Sequence, residues 1–333
     1  MGSVPRLLTQ LQRRRTARVA LAAGALCAAL ACATPNTPVH VTEGRPAMGT
    51  ILEITLVTRD PEGAHALIEH CFAETARLEM IFTTWREDGE LARLNARAGQ
   101  GPQPASPELV RILRDAQSLA LETGGVFDVT VGPLAELWRD AGKHGALPTD
   151  AEVAAARTRV GAERIQIDAE HGTIALAAGM SVDLGGLAKG WTLDRLGELL
   201  RRERTDRAFL NFGGSSLLAL GTPLDAERWR VALDGGELLD LEPASSVSIS
   251  SSLGQFVEID GVRFGHIIDP RTGRPTRSAR NARVEAPDGA SAEAWSTALV
   301  VSYGDTACTE NGENSLAMPA HGGSITGHIG CEP

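Results

Sequence analysis

Between Arg164 and Glu285 the chain passes through a series of short β-type segments with a single helical stretch among them. Runs at Arg164–Asp168, Thr173–Leu176 and Met180–Leu184 precede that helix, Leu187–Arg201, whose Leu193, Leu196 and Leu200 fall on one side. Ala208–Phe212, Leu217–Leu220, Arg230–Leu233, Ser246–Ser250, Gln255–Ile259, Val262–Ile268 and Asn281–Glu285 follow it. A doubly wound parallel sheet needs a crossover helix between successive strands, and this stretch does not supply them. The pattern predicts an α+β fold of mixed sheets with packed helices. Upstream, Thr50–Val57 alternates apolar and polar residues as a half-buried strand does, and Pro61–Phe82 aligns Leu67, Cys71, Leu78 and Phe82 on one helical face. Ser106-Pro107 supplies an N-cap and a first-turn proline for a helix through Leu121, closed by Gly124-Gly125. A short helix is expected at Leu134–Trp138 and a last one at Ala290–Val301.

The two ends have a different character. Residues 1–31 contain Arg6, Arg13, Arg14, Arg15 and Arg18 but no acid, and Val19–Ala31 is an almost unbroken small and apolar run. That run is shorter than the roughly 20 residues of a bilayer span. A basic start, an apolar middle and small residues before Cys32 predict a secretory signal over 1–31. Ala29-Leu30-Ala31-Cys32 is also similar to a lipoprotein cleavage site, which would make Cys32 an acylated membrane anchor. Either form implies export. As a lipoprotein the chain would sit on the periplasmic side of the inner membrane. Residues 32–43 then read as a tether, 44–304 as the folded domain, and 305–333, which lack periodicity, as a loop-like tail.

Net charge is −10 despite the five leader arginines, and such a body repels a phosphate backbone, so no nucleic-acid partner is expected. A phosphate-bearing ligand would need a local device: a cation, a helix N-terminus or a metal. Of the five cysteines, Cys27 and Cys32 belong to the leader, while Cys71, Cys308 and Cys331 are scattered. They allow at most one disulfide and suggest no zinc site.

Four segments carry more chemistry than packing requires. In Val182–Gly190 a strand enters a helix through Gly185-Gly186, which lets backbone amides approach an anion. Lys189 adds a charge there, and Asp183 a carboxylate for a ring N–H or a hydroxyl; a Gly-Gly turn can equally be structural. In Gly265–Gly273, His266 ends a strand before an Asp-Pro turn, as a general base or as a half-buried histidine satisfied by the backbone. On the last helix Glu293 and Thr297 share a face at i, i+4, suited to a hard cation or to ordinary solvated surface. Gly125–Pro133 is rich in backbone donors, and Trp85 earlier in the chain offers an aromatic plane beside Arg86.

Taken in order, Met48-Gly49-Thr50, Phe82–Trp85 with Glu90–Asn95, the Phe127–Pro133 turn, Asp183–Gly190, Asn211–Gly214, His266–Gly273 and Glu293–Thr297 resemble the FAD:protein FMN transferases, the ApbE-like family, over about residues 44 to 304. The resemblance implies an ApbE-like, T-fold-related architecture. It also implies a magnesium-dependent transfer of FMN from FAD to a threonine or serine hydroxyl of a target flavoprotein, at a Ser/Gly-Ala-Thr-type acceptor motif, with release of AMP. By similarity, Glu293, Ser296, Thr297 and the Gly186 carbonyl would hold Mg²⁺, and His266 would deprotonate the acceptor. Met48, Trp85, Val126, Phe127, Asp128, Asp183, Lys189 and Ile267 would line the FAD site. Where the family commonly has Asp this chain has Glu293, and where it usually reads Ser-Gly-Asp-Tyr this chain reads Ser250-Ser251-Ser252-Leu253. Those departures keep open an FAD-binding lipoprotein without transferase activity, and water in place of the acceptor hydroxyl would make the same site an FAD pyrophosphatase that gives FMN and AMP.

Overall fold

The cap at Asp60 shows how directly the sequence dictates the elements. Its carboxylate accepts from Gly63 N at 3.0 Å, Pro61 occupies the first turn, and helix α1 runs over Pro61–Phe82 as the periodicity predicts. The computed structural model describes residues 37–233, 236–252, 254–276, 280–303, 314–320 and 323–331. The leader 1–31, with Cys32, lies outside them. The other helices are α2 (Glu90–Ala96), α3 (Pro107–Glu122), α4 (Gly132–His144), α5 (Asp150–Arg157), α6 (Ala188–Arg202) and α7 (Gly289–Tyr303). Ser106 caps α3, accepting from Leu109 N at 3.2 Å.

The main sheet has eight strands: β1 (Val39–Ala47), β2 (Thr50–Thr58), β3 (Ala208–Phe212), β4 (Ser216–Leu220), β5 (Ser246–Ser251), β6 (Arg280–Ala286), β7 (Asn314–Ala320) and β8 (Gly323–Cys331). Their spatial order is β1-β2-β3-β4-β5-β6-β8-β7. One face carries Leu52, Ile54, Leu56, Leu210, Phe212, Leu218 and Leu220 against α1 and α6, and farther along Ala282 and Val284 join the core that includes α7. The opposite face buries Phe209, Leu217, Ala219 and Val247 beneath a hairpin whose Trp229 and Leu241 complete the cluster. Alternate residues of β3 and β4 therefore serve two cores, as the period of 2 requires. The α+β class is borne out.

Several boundaries differ from the sequence reading. The expected tether ends early, because Val39–Ala47 is β1, an edge strand whose charged and glycine residues hide its alternation; among its residues only Val41 is buried. Met180–Leu184 forms no strand: Ser181 makes one isolated bridge to Val131. Val262–Ile268 breaks into Val262–Gly265 and Ile268–Asp269, and the break holds His266. The helix expected at Leu134–Trp138 extends to 132–144. Helix α5 begins in a capping box of Thr149 and Glu152, a signal present in the sequence but passed over.

The loop-like tail is corrected where it is described: Asn314–Ala320 and Gly323–Cys331 are β7 and β8, which extend the sheet beyond β6, while residues 305–313 lie outside the described residues. Ile325, Gly327 and Ile329 of β8 are buried, and a side chain at Gly327 would run into Leu299 of α7 and Met318 of β7. A glycine in the middle of the inward row erased the apolar alternation that marks a strand.

Candidate active site

The Val182–Gly190 segment is held from three sides. Asn95 of α2 donates to Val182 O at 2.8 Å and accepts from Val182 N at 2.9 Å, substituting a side-chain amide for a strand partner. Asp183 N donates to Val129 O at 2.7 Å, and Asp183 Oδ1 accepts from Gly185 N at 2.8 Å, which starts the turn. The amides of Leu187 and Ala188 return to Leu184 O at 2.9 and 2.8 Å, and α6 follows. A Cβ added to Gly186 would stand 3.6 Å from both Phe127 and Thr297 Oγ1, so this backbone lies between the Phe127 turn and α7.

Helix α7 crosses α6 with backbone on backbone. A Cβ at Gly190 would collide with the Gly289 carbonyl and with Glu293 Cγ, and one at Gly289 would collide with the Gly190 carbonyl. Only glycine at both positions permits this approach. It brings Lys189 Nζ to 3.2 Å from Glu293 Oε1, an oxygen that also accepts from Ser216 Oγ of β4. Glu293 is 4% exposed, which excludes the solvated-surface alternative.

Beyond Glu293 the site is built from hydroxyls. Ser296 Oγ donates to Glu293 O at 3.0 Å and meets Ser248 Oγ at 3.0 Å and Ser250 Oγ at 2.8 Å; Ser250 also reaches Thr297 Oγ1 at 3.4 Å. Ser216 and Ser248 were missed by sequence reasoning, and Ser250 was named only as the start of the Ser250–Leu253 departure from the family pattern. Strand β5 reads Ser-Val-Ser-Ile-Ser-Ser, and its serine face lies under α7 while Val247 and Ile249 join the opposite core. The alternation was legible, but simple polarity assigns serines to solvent.

Among the described residues no three His, Cys, Asp or Glu side chains are grouped so as to hold a metal ion, so any cation here depends on hydroxyl and carbonyl oxygens beside the single Glu293 carboxylate. Glu293, Ser296, Thr297 and the adjacent Gly186 backbone form an all-oxygen donor set that suits magnesium better than zinc. Both contacts to the Glu293 carboxylate fall on Oε1, leaving Oε2 for a further ligand.

His266 follows the Phe256–Ile259/Val262–Gly265 hairpin and is exposed. Its Nδ1 lies 3.0 Å from Gln255 O; a carbonyl can only accept, so Nδ1 carries the proton and Nε2 is the basic nitrogen. Gly265 packs onto the Ser252 carbonyl at the end of β5, linking the histidine segment to the strand that holds Ser250. Ile267 is buried, and its carbonyl accepts from Thr276 N at 3.0 Å.

The remaining predicted residues divide by what they leave available. Val126 and Phe127 are buried in the core, with the Phe127 ring toward the Gly186 backbone. Asp128 is committed within the protein: Oδ1 accepts from Thr130 N and Oγ1 at 2.7 and 2.6 Å, and Oδ2 from Ala162 N at 2.9 Å. Met48 occupies a two-residue turn with Gly49, both at positive φ (46° and 81°), and its sulfur lies 3.7 Å from Thr192 Oγ1 on α6, three residues after Lys189. Trp85 stands apart from this cluster, 83% exposed, with Arg139 of α4 over its ring at 5.4 Å from the centroid.

Comparison with known proteins gives a consistent picture. The ApbE family model matches residues 48–311. The FAD:protein FMN transferase of Klebsiella pneumoniae (strain 342) is 31% identical over 284 residues, covering 81% of this chain and 80% of that protein. The protein of the same name from Treponema pallidum is 31% identical over 285 residues, covering 78% of each. Among solved structures, the ApbE protein of Thermotoga maritima superposes with a TM-score of 0.72 at 26% identity, covering 80% of this chain and 88% of that one. The flavin transferase ApbE of Vibrio cholerae gives 0.69 at 25% identity, covering 88% and 97%.

Proposed function

This chain belongs to the ApbE family, and on that premise we propose that it is a flavin transferase that moves FMN from FAD to a threonine or serine hydroxyl of a target flavoprotein, releasing AMP. The observation that carries the reading is the meeting of Lys189, Glu293, Ser296 and Thr297 beside the Gly186 backbone, in an otherwise acidic protein. An FAD pyrophosphate brings clustered negative charge that such a protein must offset.

Glu293, Ser296, Thr297 and the Gly186 carbonyl would hold magnesium, which when bound supplies Lewis-acid polarisation of a phosphoryl oxygen. Met48, Trp85, the Val126–Asp128 turn, Asp183, Lys189 and Ile267 bind and orient FAD, the Trp85 face opposite Arg139 being the one offered to a ring. The protonated Nδ1 of His266 is anchored on Gln255 O, so Nε2 takes the acceptor hydroxyl's proton as that oxygen attacks the phosphorus of the FMN half. The new P–O bond forms as the bond to the AMP phosphate breaks, and AMP departs with the electron pair.

The test is intact mass of a small acceptor domain bearing a Ser/Gly-Ala-Thr-type motif, incubated with the protein, FAD and Mg²⁺. A gain of one FMN moiety that EDTA abolishes is the expected result. An unchanged acceptor with FAD bound and intact would leave a flavin-binding protein, and AMP with free FMN in the absence of acceptor would indicate a pyrophosphatase. We also propose that residues 1–31 export the chain and that Cys32 anchors it on the periplasmic side of the inner membrane; mass spectrometry of the N-terminal peptide from membranes tests this.

A further inference from the structure

We propose that Asp194 is a positioning residue for the transfer: its carboxylate pins the first turn of α7 to α6 and so fixes Glu293 opposite Lys189 and Thr297 beside Gly186. The inference rests on the transferase reading above.

The two carboxylate oxygens of Asp194 are used separately, Oδ1 accepting from Gly289 N at 2.7 Å and Oδ2 from Ala290 N at 3.0 Å. Helix α7 has its own local cap, Asp288, which accepts from Ser291 N at 2.7 Å. Asp194 therefore adds a clamp from a different helix to an end already capped, a geometry that fixes the two helices to each other. A carboxylate also suits the positive end of a helix. Gly190 lies one turn before Asp194 on α6, and Glu293 one turn after Gly289 on α7, so clamp, glycine contact and ion pair are consecutive rungs of one crossing. Letting go of the first rung frees α7 to slide, and the oxygens of Glu293 and Thr297 move with it.

The clamp is kept at an electrostatic cost, which packing alone would not explain. Asp194 borders a cavity of about 380 Å³ together with Asp288, Glu198 and Arg195, and with Arg111, Asp115 and Glu122 of α3. Desolvation is the largest influence on its carboxyl, and the neighbouring acids add to it; together they push the pKa up to about 7 against the pull of the two amides.

The test is calorimetric Mg²⁺ binding by the full chain and by Asp194→Ala, Asp194→Asn and Asp194→Glu, with folding followed by circular dichroism and FAD affinity measured in EDTA. We expect Asp194→Ala to bind Mg²⁺ about ten- to a hundredfold more weakly while FAD affinity in EDTA is unchanged, with Asn intermediate and Glu restoring part of the loss. The wild-type affinity relative to that of Asp194→Asn rises with pH through about 7, a dependence that a purely structural carboxylate would not show. If the Ala variant fails to fold, the near-isosteric Asn variant decides. Folded variants that bind Mg²⁺ as wild type does overturn the inference alone. A wild type that neither binds Mg²⁺ nor transfers FMN overturns the functional reading and the inference together.

Discussion

Lys189 Nζ and Glu293 Oε1 lie 3.2 Å apart across 104 positions of sequence, an ion pair with the carboxylate 5% and the ammonium side chain 21% exposed. Breaking one side of such a pair leaves a buried charge to Ser216 alone. Lys189→Met should lower stability in EDTA by about 2–3 kcal/mol, and Mg²⁺ should recover part of that loss by supplying positive charge. Thermal melts of both proteins with and without Mg²⁺ measure this, and identical melts in EDTA would mean that the pair contributes nothing.

His266→Ala should reduce FMN transfer by about 10²- to 10⁴-fold, the range for loss of a general base, and leave FAD affinity intact. Its ring is exposed and lies outside the core, so the variant should remain folded, as circular dichroism would show. Full transfer by the variant would remove His266 from the chemistry.

Gly190→Ala places a methyl group against the Gly289 carbonyl and Glu293 Cγ. Forcing the helices apart should cost about 1–3 kcal/mol, read from the denaturant midpoint at unchanged slope. Because the same crossing aligns Lys189 with Glu293, Mg²⁺ affinity should fall too. A variant as stable as wild type would show that the helices can separate without penalty.

The Asp194 carboxyl sets a pH dependence of stability. Its folded pKa is raised from 3.8 to about 7, so its contribution is fully present below the unfolded value and is lost as pH rises through about 7. Asp194→Asn lacks that ionisation. Urea denaturation from about pH 5 to about pH 8 should show the variant gaining on wild type as pH rises, superimposed on a constant loss from its weakened bonds to α7. A pH-independent difference would mean that the carboxyl titrates normally.

Ile329 of β8 is 1% exposed and pairs with Ala282 of β6. Ile329→Asp puts an unpaired charge into the core beside α7 and should cost at least about 3 kcal/mol. Unchanged stability and solubility would mean that β8 does not add to the sheet in solution.

The parts legible in the sequence are those whose causes are local. Asp60-Pro61 and Ser106-Pro107 announce α1 and α3 because a cap and a proline act within one turn. Strand β2 shows its alternation because the exposed Ile51 and Glu53 flank the buried Leu52 and precede Ile54. In β8, by contrast, Gly327 is set by Leu299 on another element, and the serines of β5 face inward because α7 brings Glu293, Ser296 and Thr297 over them. The motif residues of the candidate site could be named individually. Their hydroxyl partners, and the Asp194 clamp, could not, since each depends on a crossing of helices distant in sequence.

The chain of hydroxyls Ser248–Ser296–Ser250–Thr297 has a kinetic consequence. A hydroxyl can exchange donor and acceptor roles by rotation about its Cβ–Oγ bond, so the protons can swing toward Ser248 and Ser250 and leave lone pairs on Ser296 and Thr297 exposed to a cation. On the magnesium reading proposed above, loading and unloading would need hydroxyl rotation in place of slower backbone rearrangement. The helices could then stay rigid as the ion came and went, its pace left to the cation's own loss of water.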